Sequence, residues 1–172
     1  MDETGVSDVS NADDEDGEDR RALACAVRLL ARRDHSATEL VGKLRARGFA
    51  ARSIERAIAV LGLQGAIDDT RVARLLAEQR YDKGYGPIAI RHKLLERGFE
   101  PALAERMVDA LEVDWNAAAL ALLERRFPAE ELAESDSRLR ARVARLLRSR
   151  GFPSAIALRA LEMAERRACL HH

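Results

Sequence analysis

Aromatic residues make up only 4% of this 172-residue chain, with one tryptophan and two tyrosines. Runs of β-branched residues are equally scarce, which leaves little to build a sandwich or barrel. The two cysteines, Cys25 and Cys169, are isolated thiols with no metal-ligand or redox spacing near either, so neither a redox pair nor a zinc module is written here. Of the four histidines, His35 and His92 lie alone, and the terminal His171 and His172 carry no weight in the reading. No apolar run approaches the roughly 18 residues of a membrane span, and nothing resembles a signal peptide. A soluble, cytoplasmic protein with no membrane partner is expected. Lysine is rare as well: Lys43, Lys83 and Lys93 are the only three, leaving 26 arginines among 29 basic residues.

Alanine, leucine, arginine and glutamate dominate instead, all strong helix formers, with 47% hydrophobic and 34% charged residues. The formal net charge of zero hides an asymmetry. Residues 1–19 hold nine acids and no base, so removing them leaves 20 acids against 29 bases, a formal +9 on residues 20–172. A basic body points to a polyanionic partner, nucleic acid or an acidic protein surface. The alternative is an arginine-rich set of solvated helix faces. Cys25, among Ala, Leu and Val, reads as a small core residue.

Residues 1–19 have too little apolar content to offset chain entropy and read as a disordered acidic tail, with order beginning near Arg20. Beyond it, Ser36-Ala37-Thr38-Glu39 is a capping-box pattern. Asp68 and Asp69 suit a helix start, and Pro87 after Gly86 suits a first helical position. Internal repetition is more informative. Leu40 to Leu61, Ile90 to Leu111 and Val143 to Ala164 superimpose on a shared turn, Arg47-Gly48-Phe49, Arg97-Gly98-Phe99 and Arg150-Gly151-Phe152, spaced by 50 and then 53 residues. Glycine after a helix enters the left-handed region without Cβ strain, and the following apolar residue packs back five positions. The pairs are Phe49 with Leu44, Phe99 with Leu94, and Phe152 with Leu147. Gly48, Phe49, Gly98, Phe99, Gly151 and Phe152 are therefore structural. Each following helix carries an i, i+3, i+4, i+7 stripe (Ile54, Ala57, Ile58, Leu61 in the first). One more amphipathic helix precedes each pair, with Leu23/Val27/Leu30, Val72/Leu75/Leu76 and the segment from Trp115 to Phe127. The expected fold is all-α: three tandem three-helix, helix-turn-helix-like repeats in an elongated array of about nine helices. The boundaries are 20–62, 63–112 and 113–166, with 167–172 a C-terminal tail.

Enzyme signatures are missing. Gly84-Tyr85-Gly86-Pro87 lacks the Gly-Lys-Ser/Thr of a phosphate loop, no nucleophile elbow is present, and the carboxylates sit beside arginines as ion pairs would. No catalytic residue, cofactor or metal is expected. The surface says more. Arg138, Arg140, Arg142, Arg145, Arg148 and Arg150 crowd one helix whose apolar stripe is Leu139, Val143, Leu146 and Leu147, with Asp136 the only nearby acid. A solvated helix would interleave acids to gain i,i+4 pairs, so an anionic partner is favoured for Arg138, Arg142, Arg145 and Arg148. A second patch is Lys83, Arg91, His92, Lys93 and Arg97, with Arg80, around the loop from Tyr81 to Pro87. Tyr81 and Tyr85 either stack on a base or partner side chain, or pack over helix ends.

These residues resemble the RecX family, regulators of the RecA recombinase. The match runs through Asp68-Asp69, Lys83-Gly84-Tyr85-Gly86-Pro87, Ile90, Leu94 and Arg97-Gly98-Phe99, then Arg125-Arg126-Phe127 and Arg150-Gly151-Phe152, covering roughly residues 20–165. The chain departs from the family pattern at Ala89, where a basic residue is common, and in its acidic segment 1–19. The resemblance implies a cytoplasmic protein that binds the RecA filament on DNA and inhibits its ATPase, strand exchange and coprotease activity; a monomer is expected. Direct contact with single- or double-stranded DNA is expected too. A helical-repeat protein aimed at DNA or RNA itself is the alternative.

Overall fold

Helix starts and stops fall where side-chain and backbone chemistry put them. The computed structural model describes the backbone of residues 7–170 and the side chains of residues 15–170. Every regular element among the described residues is helical: α1 (Ser7–Leu30), α2 (Ala37–Arg45), α3 (Ala51–Leu63), α4 (Asp69–Asp82), α5 (Pro87–Glu96), α6 (Pro101–Asp109), α7 (Trp115–Arg126), α8 (Ala129–Ala133), α9 (Ser137–Ser149) and α10 (Ser154–Leu170). Three triples result, α1–α3, α4–α6, and α7 with α9 and α10. The tenth helix, beyond the nine expected, is the short α8. It forms because Pro128 forces Phe127 into an extended conformation and ends α7. One turn of helix then follows and buries Leu132.

The capping box forms as the sequence predicts: the Ser36 hydroxyl accepts the Glu39 amide at 3.1 Å, and the Ser36 amide reaches the Glu39 carboxylate. Asp68 accepts from the Arg71 amide at 2.9 Å at the start of α4. Asp69 does something the pattern did not suggest. Its carboxylate accepts from the Ala37 amide at 2.9 Å, satisfying an orphan donor of α2 from a different repeat. The α2 and α9 stops have the bonding of a Schellman turn: Gly48 to Arg45 and Phe49 to Leu44, then Gly151 to Arg148 and Phe152 to Leu147. Gly48, Gly98 and Gly151 all have positive φ, at 85°, 77° and 82°.

Two compact units are distinguished. One runs to Val72 and takes in Arg97–Phe99; the other holds Ala73–Glu96 and the chain from Glu100 onward. The first has a core of Cys25, Ala26, Leu29, Leu40, Leu44, Ile54 and Leu61. Fully buried leucines such as Leu40 and Leu44 each stabilise by about 2 kcal/mol. The third repeat has its own core around Leu123, Phe127, Val143, Leu147, Phe152 and Leu161.

Several expectations need correction. Order does not wait for Arg20: α1 begins at Ser7, and Glu15, Glu18 and Asp19 contact α3 through charge instead of apolar burial. Residues 1–6 of the proposed tail lie outside the described residues, as do His171 and His172. Residues 167–170 are not a tail either, because α10 runs to Leu170 with Ala168 buried. The buried face of α1 is Ala22, Cys25, Ala26 and Leu29, leaving Val27 exposed; in α4, Leu75 is exposed and Ala73 and Ala77 are buried. Alanines supply the close-packed face in both helices, and a pattern weighted toward larger residues passes over them.

Candidate interaction surface

The loop Lys83–Pro87 is a helix stop fused to a helix start. Gly84, at φ 76°, ends α4 with the Gly84 amide on the Tyr81 carbonyl and the Tyr85 amide on the Arg80 carbonyl. Gly86 then precedes α5, whose first residue is Pro87. This start docks on the Arg150-Gly151-Phe152 turn. The Gly86 amide donates to the Arg150 carbonyl at 2.7 Å and the Ile88 amide to the Gly151 carbonyl at 3.1 Å. Orphan donors of one helix thus meet orphan acceptors of another. The backbones are so close that a Cβ on Gly86 would lie 2.6 Å from the Gly151 oxygen, and one on Gly151 would lie 2.3 Å from the Ala89 nitrogen.

The Tyr85 ring lies under the Arg80 guanidinium at 3.7 Å and the Arg150 guanidinium at 5.0 Å. Tyr81, Trp115 and Phe152 form an edge-to-face series with centroids 5.9 and 6.5 Å apart. Both tyrosines therefore pack over helix ends. Arg150 also donates to the Lys83 carbonyl at 3.2 Å, which fixes Lys83 beside the C-terminal end of α9.

The same joint recurs around Arg97. The Ser36 hydroxyl donates to the Arg97 carbonyl at 2.7 Å, the position Gly86 takes toward Arg150 fifty residues on. A Cβ on Gly98 would lie 2.7 Å from the Thr38 methyl. The Arg97 side chain, 21% exposed, bonds the Glu39 carboxylate at 2.8 Å and approaches the Asp34 carbonyl. Glu39 also faces Arg33 and the buried His35. Burial works against the Glu39 charge, but Arg97 and Arg33 outweigh it and hold the carboxyl below the usual range. Burial, followed by the Arg33 charge, pushes His35 below an ordinary histidine. Arg97 is thus placed in the joint, away from solvent partners. Ser36, His35 and Glu39 were missed as joint residues, though the alignment of Ser36 with Gly86 was available as a signal.

What remains exposed and basic is narrower than the sequence patch. Arg91 pairs with Glu105, and His92 and Lys93 pair with Glu96. On α9, Leu139, Val143 and Leu147 are buried. Two arginines do find acids, from neighbouring helices: Arg140 with Glu165, and Arg142 with Glu131 while also covering Phe127 at 4.8 Å. Neither is an i,i+4 pair along α9 itself. Arg138, Arg145 and Arg148 are exposed and have no acidic partner among the described residues. At 3.6 residues per turn they share, with Arg142, about a third of the helix circumference. The result is an arginine face opposite the buried side of α9. Guanidinium groups arranged this way suit carboxylates and phosphates by bidentate hydrogen bonding. No group of metal-ligating side chains occurs among the described residues. No helix among them is long and apolar enough to cross a membrane.

Family comparison agrees with this threefold organisation. Residues 22–61, 68–107 and 112–161 match, in order, the first, second and third three-helix domains of RecX. The chain belongs to the RecX family. Among its relatives, the regulatory protein RecX of Halorhodospira halophila is 37% identical over 127 residues, 74% of this chain and 78% of that protein. That of Stenotrophomonas maltophilia strain K279a is 41% identical over 127 residues, 74% and 77% of the two chains. The crystal structure of RecX from Lactobacillus salivarius superimposes with a TM-score of 0.74 at 19% identity, covering 90% of this chain and 98% of that one. A second crystal structure of regulatory protein RecX gives 0.71 at 20% identity, covering 91% and 78%. Within the second matched domain, the two glycines of 83–87 are a helix stop and a backbone contact. Ala89 lies directly against Gly151.

Proposed function

We propose that this protein regulates the RecA recombinase filament on DNA, restraining its ATPase, strand exchange and coprotease activity. It does so by binding and not by catalysis, as a cytoplasmic monomer. Membership of a family of regulatory proteins supports the class of role. The observation that carries the contact surface is the α9 face of Arg138, Arg145 and Arg148, exposed and without acidic partners. Arg142 borders it and Lys83 lies by the C-terminal end of the same helix, whereas Arg97 and Tyr85 act indirectly by holding the repeats in register.

The deciding experiment is the DNA-dependent ATPase of the cognate recombinase, titrated with this protein from substoichiometric ratios to equality. Suppression that is lost on charge reversal of Arg145 and Arg148 supports the reading. Undiminished ATPase with intact filaments in the electron microscope overturns it. The same arginine face also fits phosphate directly, so binding to naked and recombinase-coated DNA is compared at matched salt. Equal affinity for both makes nucleic acid itself the primary target.

A further inference from the structure

Among the described residues, the acidic half of α1 and the start of α3 meet through paired charges and a capped amide. Glu15 pairs with Arg52, and Asp19 pairs with Arg56. Between them Glu18 accepts the Ala50 amide at 2.8 Å. Ala50 is the residue that caps α3, and it has no side chain with which to do so; the first turn of α3 holds no acid either. An anion from 32 residues earlier therefore fills the positive end of that helix. Ser53, buried at the same place, and Arg56 together hold the Asp19 carboxyl below its usual range.

Glu15, Glu18 and Asp19 occupy positions i, i+3 and i+4, so they form one anionic row on one face of α1. They lie along a row of two arginines and a helix-start amide that has no acceptor within its own helix. This is the donor set with which proteins hold the phosphates of a nucleic acid strand. We propose that the start of α3, with Arg52 and Arg56, is a binding surface for the nucleic acid backbone that the chain's own acidic segment covers as an intramolecular competitor. The cover is built to come off. Arg52 and Arg56 stay 59% and 46% exposed while paired, and such exposed pairs are individually weak and screened by salt. Gly17, inside the acidic stretch, lowers its helix propensity, and a Cβ added there would meet nothing within 4 Å. From Ala22 onward, α1 is instead anchored by burial of Ala22, Cys25, Ala26 and Leu29. The division between the releasable and the anchored part falls near Arg20. The inference concerns bare nucleic acid and stands or falls apart from the recombinase reading.

The test is binding of a fluorescent oligo-dT to the full chain, to a triple variant (Glu15→Gln, Glu18→Gln, Asp19→Asn), and to that variant with Arg52→Ala and Arg56→Ala added. Thermal melts confirm that all three are folded. The triple variant should bind several-fold more tightly. Its logarithmic salt slope should steepen by about 1.4, two single-strand phosphates at about 0.7 each. The added alanines should return both quantities to the wild-type level. Affinity unchanged in the triple variant overturns the proposal. So does tightening that survives the arginine substitutions, or that is matched by neutralising Glu130, Glu134 and Glu162, since net charge alone then explains it. Poly-glutamate competing as well as oligo-dT overturns it in favour of an acidic protein partner.

Discussion

Replacing Gly86 by alanine should destabilise the protein even though its backbone is not left-handed and most glycine-to-alanine changes at such sites are mildly stabilising. Restricting the unfolded chain contributes about 0.4–1 kcal/mol in favour of the alanine. Against it stands a Cβ placed 2.6 Å from the Gly151 oxygen and 2.8 Å from Phe152 Cγ. Relief requires the two backbones to part, which sacrifices the bonds from Gly86 to Arg150 and from Ile88 to Gly151. At about 1 kcal/mol each, the net loss is about 1–2 kcal/mol. Two other glycines calibrate the effect. Gly48 has φ 85° but nothing within 4 Å of its added Cβ, so Gly48→Ala registers left-handed strain alone, about 1 kcal/mol. Gly151 combines φ 82° with the 2.3 Å approach to Ala89, so Gly151→Ala should cost about 3 kcal/mol. At about 2–4 °C per kcal/mol for a chain of this size, the Gly151 variant should melt about 6–12 °C lower. Calorimetry or circular dichroism reads the order Gly48, Gly86, Gly151. A Gly86→Ala protein that melts at or above wild type refutes the close approach, and equal loss at Gly48 and Gly151 refutes the assignment of contact to the latter.

Glu39 has a depressed folded pKa, so its contribution is present above the ordinary value of 4.5 and is lost as pH falls below it. His35, depressed below 6.5, adds a loss that begins already under that pH, because the folded state resists its protonation. Urea midpoints followed from pH 7 to 3 should show both declines. Glu39→Gln should reduce the lower one, the remainder coming from other depressed carboxyls such as Asp19 and Glu96; an unchanged profile in that variant refutes the joint electrostatics. Arg145→Glu with Arg148→Glu should leave the melting temperature within about 1 °C, both side chains being exposed and unpaired, while weakening inhibition of the recombinase ATPase. Finally, an aromatic disulfide reagent should titrate one thiol rapidly in the native protein and the second only on unfolding, since Cys169 is exposed and Cys25 is buried. Two fast thiols would contradict the packing of α1.

Periodicity and turn chemistry made the helices legible because they are local. Ser36 to Glu39, Pro87 and the Gly-Phe turns each declare themselves within four or five residues. The buried faces of α1 and α4 were less legible, since Ala22, Ala26, Ala73 and Ala77 carry little hydrophobic signal and earn their place by letting helices approach. The site was legible only as an excess of arginine. Which arginines stay free depends on acids far along the chain: Glu39 takes Arg97 across 58 residues, and Glu165 takes Arg140 across 25. No spacing rule reaches that far. The acidic stretch misled for a related reason. Its carboxylates cannot bury themselves, but α3 offers them partners 37 residues away.

The joints at Arg97 and Arg150 also have a direction. In each, the turn presents a carbonyl and the helix start presents a donor, so two turns cannot seat on one another, nor can two helix starts. Nor are the seats interchangeable. The first is lined by Ser36 and Thr38, which reach the turn through side chains; the second is bare backbone at Gly86, with the Gly151 oxygen 2.6 Å from where a serine Cβ would stand. A serine seat transplanted to position 86 would be refused by its own turn. Each of these two helix stops fits one address in the sequence, and a few backbone atoms are enough to tell apart seats that share the same turn.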